Sequence, residues 1–287
     1  MTESGRDTVV VTGASTGIGR ACALHLAVGG FDVLAGVRKD DDGERLREAA
    51  GSNGSLTPLR LDVTDPDSVR EAAAAVEERT GGRGLAGLVN NAGVGVGGPL
   101  EFLPLDDIRQ QFEVNLIGQI AVTQAMLGAL RKARGRIVNM GSIGGRTPAP
   151  FVGPYSASKA ALRATSESLR RELLPWGIWV ATVQPGSIAT PIWDKGAATA
   201  REARGRLPAG TAELYGDVLD NMGATTEKMA AAGLPPEKVA RVVEHALTAR
   251  RPRRDYVVGR DAKMQIVLDR VLPTRAFDAL VRRFMGI

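Results

Sequence analysis

Apolar and polar positions along this chain alternate between two rhythms. Short apolar runs at 8–11 (TVVV), 31–37 (FDVLAGV), 56–63 (LTPLRLDV), 85–93 (LAGLVNNAG), 135–142 (GRIVNMGS), 178–186 (IWVATVQPG) and 256–259 (YVVG) read as strands. Between them lie stretches with helical spacing, at 17–27, 44–50, 66–79, 105–132, 155–174 and 236–249. Strands rich in Val, Leu and Ile leave no face for water, so they imply a parallel sheet covered by helices on both sides. The expectation is an α/β, doubly wound parallel sheet of about seven strands, all within one domain over 1–287.

The rhythm breaks at 187–235, which holds several Gly and Pro and no strand signal. An insertion near the C-terminal edge of such a sheet usually covers a site, so it reads as a lid. Residues 260–287 read as an amphipathic helical tail. There Phe277, Leu280, Val281 and Phe284 fall at i, i+3, i+4 and i+7, with Thr274 as a plausible N-cap after Pro273. Met264, Val267, Leu268, Val271 and Leu272 form a similar stripe just before it.

The totals narrow the function classes. At 287 residues, 44% hydrophobic and 24% charged, the chain is an ordinary globular protein with ample core. One cysteine, Cys22, excludes an internal disulfide framework, and with only His25 and His245 no metal site is expected. Met1 to Asp7 is too short and polar for a signal peptide, and no apolar run is long enough to span a bilayer, so a cytoplasmic location is expected. The net charge of +5 is a property of the tail, since residues 250–287 hold ten Arg and Lys against four Asp and Glu. No nucleic-acid partner is expected, because RRPRR (250–254) lacks interleaved aromatics for base stacking. Two readings of the tail compete. It can lie on an anionic membrane surface, or dock its stripe on the protein's own lid or a partner subunit; docking is favoured because the two stripes can bury each other.

Candidate chemistry begins directly after the first strand, at TGASTGIG (12–19). Glycines in a strand-to-helix turn let backbone N–H groups approach a pyrophosphate at a helix N-terminus, where the dipole favours anions. That context makes the turn a dinucleotide-binding loop and the sheet Rossmann-type. About 20 positions on, the end of the second strand reads the adenosine ribose. This strand ends AGVRK, with Val37 where an acid would sit and Arg38 next, so NADP(H) is favoured and NAD(H) is the alternative. Asp40, Asp41 and Asp42 are better placed to start the following helix, where negative charge is welcome.

GPYSASKAAL (153–162) sets Tyr155 one helical turn before Lys159 with only small residues between them. A nearby ammonium favours the ionised phenol, which makes a proton donor and acceptor usable nearer neutral pH. Ser142 closes a predicted strand, and strand C-termini are where open α/β sheets build their sites. Asn115 sits among apolar neighbours in FEVNLIG and needs a partner if buried.

Taken in order and spacing, TGASTGIG, NNAG (90–93), Asn115, Ser142, YSASK (155–159) and PGSIAT (185–190) resemble the short-chain dehydrogenase/reductase family over most of the chain. The resemblance implies that Tyr155 is the general acid/base, that Lys159 binds the nicotinamide ribose and lowers the tyrosine pKa, that Ser142 orients the substrate oxygen, and that Asn115 holds a relay water. It implies a cofactor cleft lined by Gly13, Ser15, Thr16, Gly17, Ile18, Gly19, Arg38, Asp62, Val63, Asn90, Ala92, Gly93, Pro185, Gly186, Ile188 and Thr190, with Trp193 on the substrate side. Gly141 departs from the many members that carry a second serine there. The resemblance also implies a homodimer.

For the substrate, Ile188, Ile192, Trp193, Leu207, Leu214, Tyr215, Met222 and Met229 suit an apolar pocket, although half of them are expected simply to pack the lid. The long lid and tail resemble the steroid and retinol dehydrogenase branch. The expectation is an apolar secondary alcohol or ketone, such as a steroid-, retinoid- or polyketide-like molecule. A 3-oxoacyl thioester reductase is the alternative enzyme, and a catalytically silent dinucleotide sensor or scaffold the alternative of another class. An intact Asn115, Ser142, Tyr155 and Lys159 argues against the silent reading.

Overall fold

The computed structural model describes residues 7–52, 54–191 and 210–286. Seven strands, β1 (Thr8–Val11), β2 (Asp32–Val37), β3 (Ser55–Arg60), β4 (Gly87–Asn90), β5 (Arg136–Met140), β6 (Trp179–Pro185) and β7 (Asp255–Val258), form one sheet in the order β3-β2-β1-β4-β5-β6-β7. Every neighbouring pair is parallel. The chain winds outward from β1 to β3, then returns to add β4 on the other side. The reversal between β1 and β4 opens a crevice at the strands' C-terminal ends, the place where such sheets take ligands.

On one face lie α1 (Gly17–Val28), α2 (Asp40–Ala50) and α8 (Glu237–Thr248). Cys22 and Leu26 of α1 meet Val239 and Val243 of α8 in one apolar cluster over β1 and β2. On the other face, α3 (Pro66–Thr80) and α5 (Gly118–Ala133) bring Val69, Val76, Val122, Met126 and Leu130 into a second cluster. Leu26 and Leu130 are wholly buried, and each such side chain stabilises the fold by roughly 1.5–3 kcal/mol. Local chemistry sets the ends. Asp65 caps α3 by accepting from the Asp67 N–H at 2.9 Å, with Pro66 in the first turn. Helix α2 starts four residues before its predicted beginning, because Asp40, Asp41 and Asp42 occupy its first turn, where the dipole favours them.

Two departures from the expected elements bear on the site. The predicted helix 105–132 is α4 (Leu105–Phe112) and α5, joined by a wider π turn over Glu113–Ile117 that contains Asn115. The region expected to be a strand-free lid carries a long helix, α7 (Thr211–Ala231). Its apolar spacing is interrupted by Gly216 and Gly223, which hid it. Beyond β7, α9 (Arg260–Val271) and α10 (Thr274–Met285) form the tail. Among the described residues no helix is long and apolar enough to cross a membrane.

Candidate active site

A cleft of about 1680 Å³ opens along the C-terminal ends of the strands. Its first part is a backbone cradle. Gly13, Ser15, Thr16, Gly17 and Ile18 line it at the start of α1, whose first turn carries no acid to oppose an anion. Gly13 has a φ of 62°, and a Cβ there would come within 2.8 Å of the Ala92 backbone. A Cβ on Gly19 would collide with the Gly13 carbonyl, so Gly19 serves close helix–loop packing and does not line the cleft. Val37, Arg38, Asp62 and Val63 continue the wall, with Arg38 exposed at the end of β2. These residues fit a dinucleotide: bare backbone for its phosphates, then, where the adenosine ribose would end, Arg38 and Lys39 beside Asp41 and an Asp42 that is paired with Arg45 at 2.5 Å.

The middle of the cleft holds the candidate reacting groups. Helix α6 (Gly153–Leu173) starts with Pro154 in its first turn, and Tyr155 and Lys159 follow one turn apart on the cleft side. Lys159 is buried, and its Nζ donates to the Met140 carbonyl at 2.9 Å. It also stands 5.9 Å from the centre of the Tyr155 ring. Ser142 follows β5 in extended conformation, and its Oγ accepts from the Gly144 N–H at 3.1 Å. Its hydroxyl hydrogen is thereby left free to turn toward the Tyr155 phenol, which Ser142 pulls down in pKa.

The electrostatics correct one expectation. Burial pushes the Tyr155 phenol above its ordinary value, and the Ser142 hydrogen bond only partly offsets this. Burial also lowers Lys159, to about 8. The ammonium is turned to a carbonyl and is itself disfavoured by burial, so in the protein alone it does not lower the phenol. Tyr155 is therefore held as a proton donor.

Asn115 lies behind the cleft, fully buried in the π turn. Its Oδ1 accepts from the Val94 N–H at 2.8 Å, while its Nδ2 donates to the Val94 carbonyl at 2.9 Å and to Ser158 Oγ at 3.0 Å. The carboxamide thus pairs with a loop backbone as a strand would, and the helix widens to reach it.

Asn90 is a second correction. Its side chain does not line the cleft; it is buried and donates to Thr123 Oγ1 at 2.8 Å and Asn139 Oδ1 at 2.9 Å, tying β4 to β5 and α5. Its neighbour Asn91 serves the cleft instead, donating to the carbonyls of Thr12 and Gly13 at 3.0 and 3.1 Å and so fixing the phosphate loop. Ala92 and Gly93 line the cleft as expected, and the Ala92 carbonyl accepts from Gln119. Sequence reasoning missed Asn91 and Gln119. The doubled asparagine in NNAG and a polar residue on an apolar helix face were the available signals.

Pro185, Gly186, Ile188 and Thr190 line the far side of the same cleft. Ile188 forms a short parallel bridge with Leu234, just before α8. Beyond the reacting groups the wall turns apolar, with Val94, Val96 and Leu103 facing Met264, Leu268, Phe277, Leu280, Val281 and Phe284 of the tail. The tail stripe thus borders the protein's own cleft, but the two stripes do not bury each other as expected: Met264, Val267, Val271, Leu280 and Phe284 stay largely exposed. Tyr215 of α7 stacks edge-on against Phe102 and Phe151, at 6.0 and 6.1 Å between ring centres, and its hydroxyl donates to Glu101 at 3.0 Å. Phe151 takes a positive φ of 65°, a strained conformation for an aromatic residue, directly before α6. Leu214 points to solvent, whereas Ile192, Trp193 and Leu207 lie outside the described residues, as do the side chains of Met222 and Met229. Among the described residues no cluster of three or more His, Cys, Asp or Glu side chains is placed to hold a metal ion.

Comparison with known proteins bears on the same residues. A family model described as short chain dehydrogenase matches residues 7–201. Mouse retinol dehydrogenase 5 is 41% identical over 279 residues, spanning 95% of this chain and 87% of the relative. Mouse estradiol 17-beta-dehydrogenase 2 is 35% identical, spanning 96% of this chain and 74% of the relative. An NADPH-dependent 3-dehydrocapnine reductase from Ornithobacterium rhinotracheale is 34% identical, spanning 94% of each. Among solved structures, a short-chain dehydrogenase from Streptomyces avermitilis superimposes with a TM-score of 0.75 at 29% identity, covering 94% of each chain.

Proposed function

The chain belongs to the short-chain dehydrogenase/reductase family, in its steroid and retinol dehydrogenase branch, and from that premise we propose that it moves a hydride between NADP(H) and an apolar secondary alcohol or ketone. The observation that carries this reading is the composition of one cleft. A bare backbone cradle ends in Arg38, the middle holds Ser142, Tyr155 and Lys159, and the far wall is apolar.

The dinucleotide, when bound, supplies or receives the hydride. The protein's own part is position and proton transfer. Tyr155, kept protonated by burial, gives its proton to the carbonyl oxygen as a ketone is reduced and takes it back in the reverse direction. Ser142, anchored by the Gly144 N–H, turns its hydroxyl to the same oxygen and orients it. Lys159, whose Nζ donates to the Met140 carbonyl, would hold a ribose hydroxyl with its remaining hydrogens, and Asn115 keeps the Val94 loop and the Ser158 turn in place behind it. Arg38 would pair with a 2′-phosphate, which is the basis for preferring NADP(H); a relative named for its NADPH dependence supports the same choice.

The apolar wall suits a hydrophobic substrate of steroid, retinoid or polyketide size, and the names of the retinol and estradiol dehydrogenases support that class. The reading also includes a single domain, a homodimer and a cytoplasmic location, with no nucleic-acid partner. The test is a screen of the purified chain with NADPH against hydrophobic ketones and short 3-oxoacyl thioesters. Turnover of the ketones supports the proposal; turnover confined to the thioesters replaces it.

A further inference from the structure

The loop from Gly186 to Ala189 borders the nicotinamide end of the cleft, and its backbone is held from the C-terminal third of the chain. The Gly186 N–H donates to the Val258 carbonyl at 2.8 Å, extending the β6–β7 pairing by one step. The Ser187 carbonyl accepts from the Leu234 N–H at 2.9 Å, and the Ala189 N–H donates to the Leu234 carbonyl at 3.0 Å. One side chain joins this set. Asp261, in the first turn of α9, accepts the Ser187 N–H on its Oδ2 at 2.8 Å. The same carboxylate lies flat against Gly186, where an added Cβ would fall 2.7 Å from Oδ1 and 2.8 Å from Cγ. Asp261, Gly186 and Ser187 all line the cleft that holds Tyr155 and Lys159.

Helix α9 reaches the other flank of the reacting groups as well. One turn after Asp261, Gln265 Oε1 accepts from Thr147 Oγ1 at 3.2 Å, and Thr147 closes the turn that begins at Ser142. The helix therefore bridges the Ser142 turn and the Gly186–Ser187 loop, and between those two anchors it presents Met264 and Leu268 to the cleft.

The geometry points to Asp261 as a positioning residue for the nicotinamide end of the dinucleotide, acting through the backbone of Gly186 and Ser187. The inference rests on the dinucleotide reading given above. The carboxylate touches no reacting atom. It supplies an acceptor to an N–H that is otherwise left unpaired at the edge of the cleft, and a charged acceptor makes that bond shorter and stronger. Gly186 leaves the space that the carboxylate occupies, so a side chain there would displace Asp261.

Two probes separate positioning from general support of the fold. NADPH spans the whole cleft, whereas adenosine 2′,5′-bisphosphate has the adenine, ribose and phosphates but no nicotinamide. Dissociation constants are measured for both on the full chain, as the unmodified protein and as Asp261→Ala and Asp261→Asn. The expected result is that Asp261→Ala weakens NADPH about tenfold and leaves the bisphosphate within about twofold, which also certifies a folded cleft. Asp261→Asn, whose Oδ1 can still accept the Ser187 N–H, restores most of the NADPH affinity. Unchanged NADPH binding in Asp261→Ala overturns the proposal, as does equal weakening or loss of both probes, or an Asn variant no better than Ala. If the unmodified chain binds neither probe, the NADP(H) reading on which the proposal rests fails and the proposal falls with it; that outcome is distinct from every failure confined to the variants.

Discussion

Lys159 Nζ donates to the Met140 carbonyl at 2.9 Å and stands 5.9 Å from the centre of the Tyr155 ring. The two groups are neighbours across one helical turn, yet burial drives them in opposite directions, the phenol up and the ammonium down to about 8. Desolvation disfavours the charged form of each. The protein alone therefore keeps a neutral phenol, and any tuning toward phenolate has to come from charge brought in with the dinucleotide.

That arrangement has a consequence for stability. Lys159 is held below its ordinary value, so between about pH 8 and 10 the unfolded chain binds more protons than the folded one. The Lys159 contribution to stability then rises with pH across this window, by roughly 2 kcal/mol, and burial of Lys159 costs most below pH 8. From about pH 9 the buried Cys22 thiol, pushed up to about 12, and above pH 10 the raised phenol oppose this contribution, because both groups ionise first in the unfolded chain. Urea denaturation of the protein without cofactor should show the rise, and Lys159→Met should remove it. The same pH profile in both chains would refute the buried-ammonium account.

Cofactor choice turns on Arg38, which lines the cleft and is exposed at the end of β2. Arg38→Ala should weaken NADPH by about 1.5–3 kcal/mol, the range for hydrogen bonds to charged groups, while NADH binding barely changes. Calorimetric titration with both cofactors checks it. An unmodified protein that prefers NADH would reverse the assignment.

Much of this was legible in the sequence. The strands are short apolar runs with turn residues at their ends, so all seven fall within a few residues of their expected places. The reacting groups sit in local motifs, and YSASK needs only one helical turn to bring Tyr155 and Lys159 to one face. What stayed hidden depends on contacts distant in the chain. Asn90 and Asn91 are adjacent, and only the pleat decides that Asn90 turns to Thr123 and Asn139 while Asn91 turns to Gly13. The π turn at Asn115 arises from pairing with Val94, 21 residues away. Asp261 reads as an ordinary first-turn acid until the fold lays it on Gly186. The direction of the tyrosine shift was missed because a spacing in sequence says nothing about burial.

The tail prediction follows from the stripe that lines the mouth of the cleft. Removing residues 273–287 deletes Phe277, Leu280, Val281 and Phe284 from the cleft wall. KM for large hydrophobic ketones should rise about tenfold or more, by loss of apolar burial, with NADPH affinity unchanged. Liposome sedimentation of the full chain should stay negligible. Unaltered KM together with salt-sensitive binding to anionic liposomes would place the stripe on a membrane.

Assembly should use the outer side of α6. Ala157, Ala160, Ala164 and Ser168 are exposed along one side of it, a flat surface on which a second copy of the helix can pack closely. Light scattering should report a dimer, and Ala160→Arg with Ala164→Glu should yield monomers. A monomeric mass for the unmodified chain at micromolar concentration would contradict this.

The central claim is that Tyr155 exchanges a proton while a dinucleotide in the same cleft exchanges a hydride. The most direct measurement is turnover of the best ketone found for the protein, alongside NADPH affinity, in Tyr155→Phe. The account predicts a loss of about 10²–10⁴-fold in kcat, the range for removal of a general acid, with NADPH affinity within about twofold. Turnover in Tyr155→Phe within about tenfold of the unmodified protein, with the cofactor still bound, would contradict it.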